Sequence, residues 1–278
     1  MPLWIWLTAI IAGATGQFVD ALAGMGFGAF SGSVMLAGGL APTLVILTVS
    51  LTKIGSGLVS GLAHWRFGNV RWTWVAPLAI SSIGGGIIGG LLLTHLPASA
   101  SRVWVPALLI MMGLLILRRF LLPGLSIRRV GGASQNLELS ARPSSWQRIG
   151  SSLMNMPSAF RLGGIGLAAG ALNSLSGAYG PFATSSVILA QGGHPRFAVG
   201  TVNLVEIFAA TATSVTLLSQ INRADFPWEL PAALMIGAVF TVPLGAYLAR
   251  HLPEKIVGIG VGLILIVINA WALGKVIL

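Results

Sequence analysis

The sequence predicts an all-α polytopic membrane protein made of two inverted repeats of about five apolar segments each, with Gly-rich broken-helix or hairpin tips near the membrane centre. Three observations predict this: composition, the length of the uncharged runs, and a sequence that contains itself twice. Hydrophobic residues make up 55% of the chain, charged residues 8%, and the mean hydropathy is +0.89. A soluble domain carries about 25% charged residues. The runs Met1 to Val19, Ala21 to Thr52, Trp72 to Ser101, Val103 to Leu117, Leu162 to Pro195, Leu230 to Ala249 and Ile256 to Gly274 reach or approach the roughly 20 residues that cross ~30 Å of hydrocarbon.

The repeat is read directly. Val19-Asp20-Ala21-Leu22-Ala23-Gly24 returns as Leu172-Asn173-Ser174-Leu175-Ser176-Gly177. The same shift places Gly39 on Gly192, Pro42 on Pro195, Thr48 on Thr201 and Lys53 on Glu206. With small indels, Trp74 and Pro77 match Trp228 and Pro231, and Thr94-His95-Leu96-Pro97 matches Arg250-His251-Leu252-Pro253. A period of about 154 residues is too long for a solenoid and fits a transporter built from two structural repeats.

In chain order the first half reads as segments of about 3 to 23, 27 to 40, 43 to 64, 73 to 95 and 103 to 121. The second half reads as about 163 to 177, 181 to 193, 196 to 219, 229 to 250 and 255 to 275. Residues 1–121 are therefore expected to form a first transmembrane repeat and 162–278 a second, joined by a cytoplasmic linker over 122–161. The opening Met-Pro-Leu-Trp-Ile-Trp lacks the basic leader and cleavage site of a secretory signal, so the first segment is expected to stay. The second segment of each half is short enough to be either a brief span or half of a re-entrant hairpin. Either choice leaves an odd number of crossings per half, which inverts the second repeat.

Basic residues set the orientation. With the N-terminus outside, twelve fall in the cytoplasm: Arg66, Arg71, Arg118, Arg119, Arg128, Arg129, Arg142, Arg148, Arg161, Arg196, Arg250 and Lys255. Arg102, Arg223 and Lys275 remain outside. Seven of the twelve lie between Arg118 and Arg161, so the assignment rests mainly on the linker, whose Trp146 is placed at the interface. The net charge of +10 is spread between apolar segments and makes no nucleic-acid patch. With no cysteine, disulfides, thiol chemistry and cysteine metal sites are excluded.

Charges inside hydrocarbon point to function. Lys53 follows Pro42, and Glu206 follows Pro195, by eleven residues, ~16 Å into each helix. Two readings are open: a structural salt bridge between the halves, or Lys53 as countercharge for an anionic substrate with Glu206 as gate or proton-coupled partner. The second is preferred. Ser50 and Asn203 stand one turn earlier on the same faces and supply hydrogen-bonding groups.

The Gly-rich tips form the second candidate constellation. Asp20 to Gly28, with Gly24, Gly26 and Gly28, and Asn173 to Pro181, with Ser176, Gly177, Tyr179 and Gly180, each end one apolar segment and open the next. The helix starts there present free N–H groups, suited to an anion. Close helix packing through glycine is the competing explanation. The GMGFG run is no dinucleotide fingerprint, because it follows no strand. Asp20 is read first as a hydrogen-bonding cap and second as a proton carrier. His64, His95, His194 and His251 fall at segment ends without metal-ligand spacing, Asp225 and Glu229 read as solvated beside Trp228, and most tryptophans flank segments.

The tips, each followed by an apolar run and a proline-led helix at Ala41-Pro42 and His194-Pro195, resemble those of the TauE/SafE sulfite exporter family. The resemblance covers nearly the whole chain outside the linker. It implies a secondary carrier of small anions such as sulfite or an organosulfonate, with no cofactor or metal, no enzymatic activity and no nucleic-acid partner. Export is the expected direction, with import as the alternative, and a coupling proton or cation and a homodimer are left open. An anion channel is the main alternative, and an intramembrane enzyme a weaker one, since no serine–histidine or metal-binding set sits at membrane depth.

Overall fold

The computed structural model describes residues 2–23, 26–121, 157–191, 195–221, 226–249 and 254–277. Gly24, Met25, His194, Arg223, Asp225, Arg250, His251 and the linker residues 122–156, with Trp146, lie outside the described residues. The described chain is helical throughout: α1 (Leu3–Ala23), α2 (Phe27–Ala37), α3 (Pro42–Arg66), α4 (Trp72–His95), α5 (Ala98–Leu121), α6 (Ser158–Ser176), α7 (Tyr179–Gln191), α8 (Pro195–Gln220), α9 (Glu229–Ala249) and α10 (Glu254–Ile277). Pro42 and Pro195 each occupy the first helical position, where a missing N–H costs nothing and a fixed φ favours the helix. Among the described residues, α1, α3, α4, α5, α8 and α10 contain stretches long and apolar enough to cross a membrane. Their outer faces carry Ile80, Ile88, Val215, Val267 and other exposed large apolar side chains, as lipid-facing surfaces require. The protein is an all-α, multi-pass membrane protein.

The short second helices fold back along the helices that precede them. Ser31 on α2 donates its hydroxyl to the Ala12 carbonyl of α1 at 2.9 Å, and Gly38, after α2, lies beside Thr8. α2 thus runs antiparallel to α1. The same holds in the second half, where Arg161 near the start of α6 donates to the carbonyl of Ala190 at the end of α7, at 2.6 Å. At 11 and 13 residues, α2 and α7 reach only about 16–20 Å, too short to span alone.

Two expected boundaries move. α5 opens at Ala98 instead of 103, and α6 at Ser158 instead of 163, inside the stretch assigned to the linker. In both cases the apolar run in the sequence starts just past an arginine, Arg102 or Arg161. Arg102 instead projects outward from the helix end, and Arg161 is satisfied by the Ala190 carbonyl.

Packing exchanges partners between the halves: α1 lies on α9, α6 lies on α4, α3 crosses α8, and α5 pairs with α10. Glycine makes these crossings close, because lipid offers no hydrophobic drive and contact must come from backbone approach. A Cβ on Gly13 would overlap the Leu234 carbonyl, and one on Gly237 the Ile10 carbonyl. At the other crossing, Gly85 meets Leu167 and Gly170 meets Ser82 in the same way. The buried apolar cores, around Ile46, Leu109 and Leu265, around Leu78, Tyr179 and Val205, and around Met35, Val49 and Leu234, hold the hairpins against the long helices.

Candidate functional site

The middle of the bundle is where α3, α8 and the two hairpin tips meet. Lys53, halfway along α3 and 5% exposed, forms an ion pair with Glu206 of α8. The Lys53 ammonium also donates to Asn173 Oδ1 at 3.2 Å and to the Gly177 carbonyl at 3.0 Å. Its three protons therefore have three protein acceptors. The two charges that the sequence duplication pairs are in direct contact, as the structural reading required; that contact leaves the role of substrate countercharge open.

Backbone geometry makes this convergence possible. α6 ends at Gly177 in the left-handed region, φ 73°, with its N–H bonded to the Asn173 carbonyl at 2.8 Å. A residue with a side chain is strained there, so glycine terminates the helix and turns its carbonyl toward Lys53. From the first hairpin, Gly28 meets the same spot: a Cβ on it would overlap the Lys53 ammonium and the Gly177 carbonyl.

A polar chain supports the pair. Asn173 Nδ2 donates to Thr213 Oγ1 at 3.0 Å, the Thr213 and Ser174 hydroxyls lie 2.6 Å apart, and Ser174 Oγ donates to the Gly86 carbonyl of α4 at 2.7 Å. Asn173, Ser174 and Thr213 are all buried, so their mutual bonds avoid the cost of unpaired polar groups in an apolar interior. The chain ties α6 to α8 and α4, and so fixes where Asn173 presents its oxygen to Lys53.

The other expected site residues fall in different places. Asp20 Oδ1 accepts the N–H of Phe27 at 3.3 Å, capping the start of α2 from within its own hairpin. Asn173, its counterpart, instead faces Lys53. Ser176 Oγ donates to the Leu172 carbonyl of its own helix at 2.9 Å, and the Tyr179 hydroxyl lies 2.8 Å from Ser82 Oγ on α4. Gly26, with φ 146°, precedes α2, and Gly180 is buried in the first turn of α7. Ser50 Oγ, one turn before Lys53, is buried with no hydrogen-bond partner, as is Thr48 Oγ1.

Asn203 is not part of the Lys53 cluster. Its amide nitrogen lies 3.3 Å from Ser60 Oγ and 3.3 Å from His64 Nε2, toward the C-terminal end of α3. α3 and α8 run antiparallel, with Lys53 beside Glu206 and Gly61 beside Leu204, so one turn toward the start of α8 moves the side chain toward the C-terminal end of α3. His64 sits at a helix end, as expected, and joins this second polar group with Asn69 at 3.5 Å.

Sequence reasoning missed Thr213, Ser174, Ser82 and the Asn269 amide, which donates to Ser33 Oγ at 2.7 Å. A signal existed for Thr213, which follows Glu206 by seven residues and so shares its helix face. Ser174 stood beside Asn173 within the quoted tip. Ser82 and Asn269 are isolated polar residues in apolar helices, with nothing in the sequence to name their partners. Among the described residues no group of three His, Asp or Glu side chains gathers in metal-binding geometry.

Comparison with known proteins agrees with this architecture. The family described as "Sulfite exporter TauE/SafE" matches residues 9–271. The chain is 28% identical over 261 residues to "Probable membrane transporter protein YtnM" of Bacillus subtilis (strain 168), covering 93% of this chain and 79% of that one. It is 33% identical over 112 residues to "Probable membrane transporter protein ORF9" of Sinorhizobium sp., covering 40% of this chain and 41% of that one. No solved structure matches the chain significantly. A family match over nearly the full length, on an all-α multi-pass fold, makes this protein a membrane transporter and not an enzyme. The chain belongs to the TauE/SafE sulfite exporter family.

Proposed function

We propose that this chain is a secondary carrier of small anions, sulfite or an organosulfonate first among them, working by alternating access between two inverted repeats. The observation that carries the reading is the Lys53–Glu206 pair, a cation and a carboxylate held together in the middle of an apolar bundle where both hairpin tips meet. A buried pair of this kind is seldom retained for stability, since desolvation offsets most of its attraction. Its use is exchange: an incoming oxyanion takes the place of the Glu206 carboxylate on Lys53, while Asn173 and Gly177 keep the ammonium in position. The unpartnered Ser50 hydroxyl, one turn away, offers the anion a further donor.

Displacing Glu206 leaves a carboxylate in a site where it has lost its cation. Glu206, displaced from Lys53, is then the group that gates the site or carries a coupled proton. The exchanged packing of α1 on α9 and α6 on α4 supports two repeats that rock against each other. The hairpins α1–α2 and α6–α7 are then re-entrant, their tips meeting near the membrane centre, and α3, α4 and α5 with α8, α9 and α10 cross. The N-terminus lies outside and residues 122–156 in the cytoplasm. With the interior negative, export of an anion without a proton gains ~2.3 kcal/mol per charge for each 100 mV, whereas a monoanion carried with one proton moves no net charge and is driven by the proton and anion gradients alone.

The test is flux through the full-length protein in sealed vesicles with sulfite, sulfoacetate, sulfate and a small carboxylate. Saturable flux of a sulfur oxyanion, accelerated by the same anion on the far side, is expected. Non-saturating conductance without exchange would replace the carrier by a channel.

A further inference from the structure

A second feature lies at the end of the bundle where α5 begins, away from Leu121 at the other end of that helix. A cavity of about 250 Å³ is bounded by the turn between α2 and α3, the start of α5 and the end of α10. Leu36, Leu40, Pro106 and Ala272 give it an apolar wall, and Arg102 and Lys275 are its charged residues. Among the described residues no carboxylate lines it. We propose that this cavity is a binding site for an amphiphilic oxyanion, a phosphate or sulfonate head on an apolar body.

Lys275 stands in the last turn of its own helix α10 and over the Trp271 ring, which accounts for it, whereas Arg102, in the opening turns of α5, is explained neither by its own helix nor by the end of α2. Cations are often found near the C-terminus of a helix because its last carbonyls are unsatisfied. At the end of α2 those carbonyls are already used: Val34, Met35 and Leu36 accept from the N–H groups of Gly38, Leu40 and Gly39 at 2.9, 3.2 and 2.9 Å. Two like charges from different helices also repel when they share one cavity, which an anion between them reverses. The apolar wall selects for the body attached to that anion, because a bare inorganic ion would gain nothing from burying Leu36 or Pro106.

Position supplies the ligand class. Trp104 and Trp271 are 59% and 55% exposed on α5 and α10 near the same end, and the Lys275 ammonium sits 3.6 Å from the Trp271 ring centroid. Exposed tryptophans beside basic residues mark the level of lipid headgroups. The same chemistry is offered by an anionic phospholipid and by a soluble organic sulfonate, so the two must be separated experimentally. The site stands on its own geometry and is independent of the Lys53 reading.

The experiment uses the full chain in neutral detergent. Native mass spectrometry with phosphatidylglycerol against phosphatidylcholine reads the lipid arm, and a thermal-shift titration with a short alkyl sulfonate against sulfate reads the soluble arm. The variants are Arg102→Gln/Lys275→Gln, the charge-keeping Arg102→Lys/Lys275→Arg as a folding control, and Arg66→Gln, an exposed cation elsewhere. Preference for phosphatidylglycerol, weakened about 30-fold in the double Gln variant and kept in the other two, assigns the site to lipid. Sulfonate-specific stabilisation with the same variant pattern assigns it to a soluble anion. Equal binding by wild type and the double Gln variant in both arms, or an equal loss in Arg66→Gln, overturns the proposal.

Discussion

Gly28 and Gly177 come from opposite halves of the chain and touch through their backbones beside Lys53: a Cβ on Gly177 would lie 3.1 Å from the Gly28 carbonyl oxygen. This contact is what places a helix-terminal carbonyl from one hairpin and a helix start from the other against a single ammonium group. It also makes the first prediction sharp. Gly28→Ala introduces a methyl group where Lys53 and Gly177 already are, so it should lower the stability by about 1–3 kcal/mol and eliminate anion flux. Gly163→Ala, which has open space at its Cβ, should do neither. Thermal unfolding and vesicle flux on both variants decide it; a fully active Gly28→Ala would remove the tip contact from the transport site.

The ion pair predicts an asymmetric response. Lys53→Gln or Glu206→Gln alone leaves one charge of the pair without its partner and should cost up to about 3–5 kcal/mol. The double variant Lys53→Gln/Glu206→Gln should recover most of the stability yet carry no anion. If the double variant still transports, Lys53 is a structural lock only.

Coupling is tested at the same carboxylate. Sulfite or sulfonate flux in wild type should be driven by a proton gradient in the direction of the anion, and Glu206→Gln, where it folds, should lose that drive. Gradient-driven flux surviving in Glu206→Gln would move the coupling group elsewhere, with Asp20, the cap on α2, next to examine.

Thr213 reaches the site only through Asn173. Thr213→Val removes an acceptor of the Asn173 amide and leaves that buried donor unpaired, at a cost of about 1–3 kcal/mol. Apparent affinity for the anion should fall more than maximal flux, since the change acts by loosening the group that positions Lys53. Unchanged affinity with unchanged stability would show that the Asn173–Thr213 bond plays no part.

Orientation is open to chemical labelling because the chain has no native cysteine. Phe67→Cys, in the exposed turn between α3 and α4, should react with a membrane-impermeant thiol reagent only from the cytoplasmic side, and Ser99→Cys, at the start of α5, only from outside. The reverse pattern would invert the assigned topology.

The sequence by itself determined the helices and the residues at their centres. Long uncharged runs can only be satisfied in hydrocarbon as helices, so α1 to α10 follow from composition, and the proline starts and glycine stops fix most of their ends. The internal duplication named Lys53 and Glu206 as equivalent before any contact was known. Only the tertiary structure decided that the pair touches, that α2 and α7 fold back on their neighbours, and that Asn203 belongs with His64. It also decided that Thr213, Ser174 and Gly86 stand behind Asn173. The physical reason is that helix formation depends on local chemistry, whereas these relationships depend on which helix faces meet. Those meetings are set by how closely glycine lets two backbones approach, a sum of many contacts that no single stretch of sequence contains.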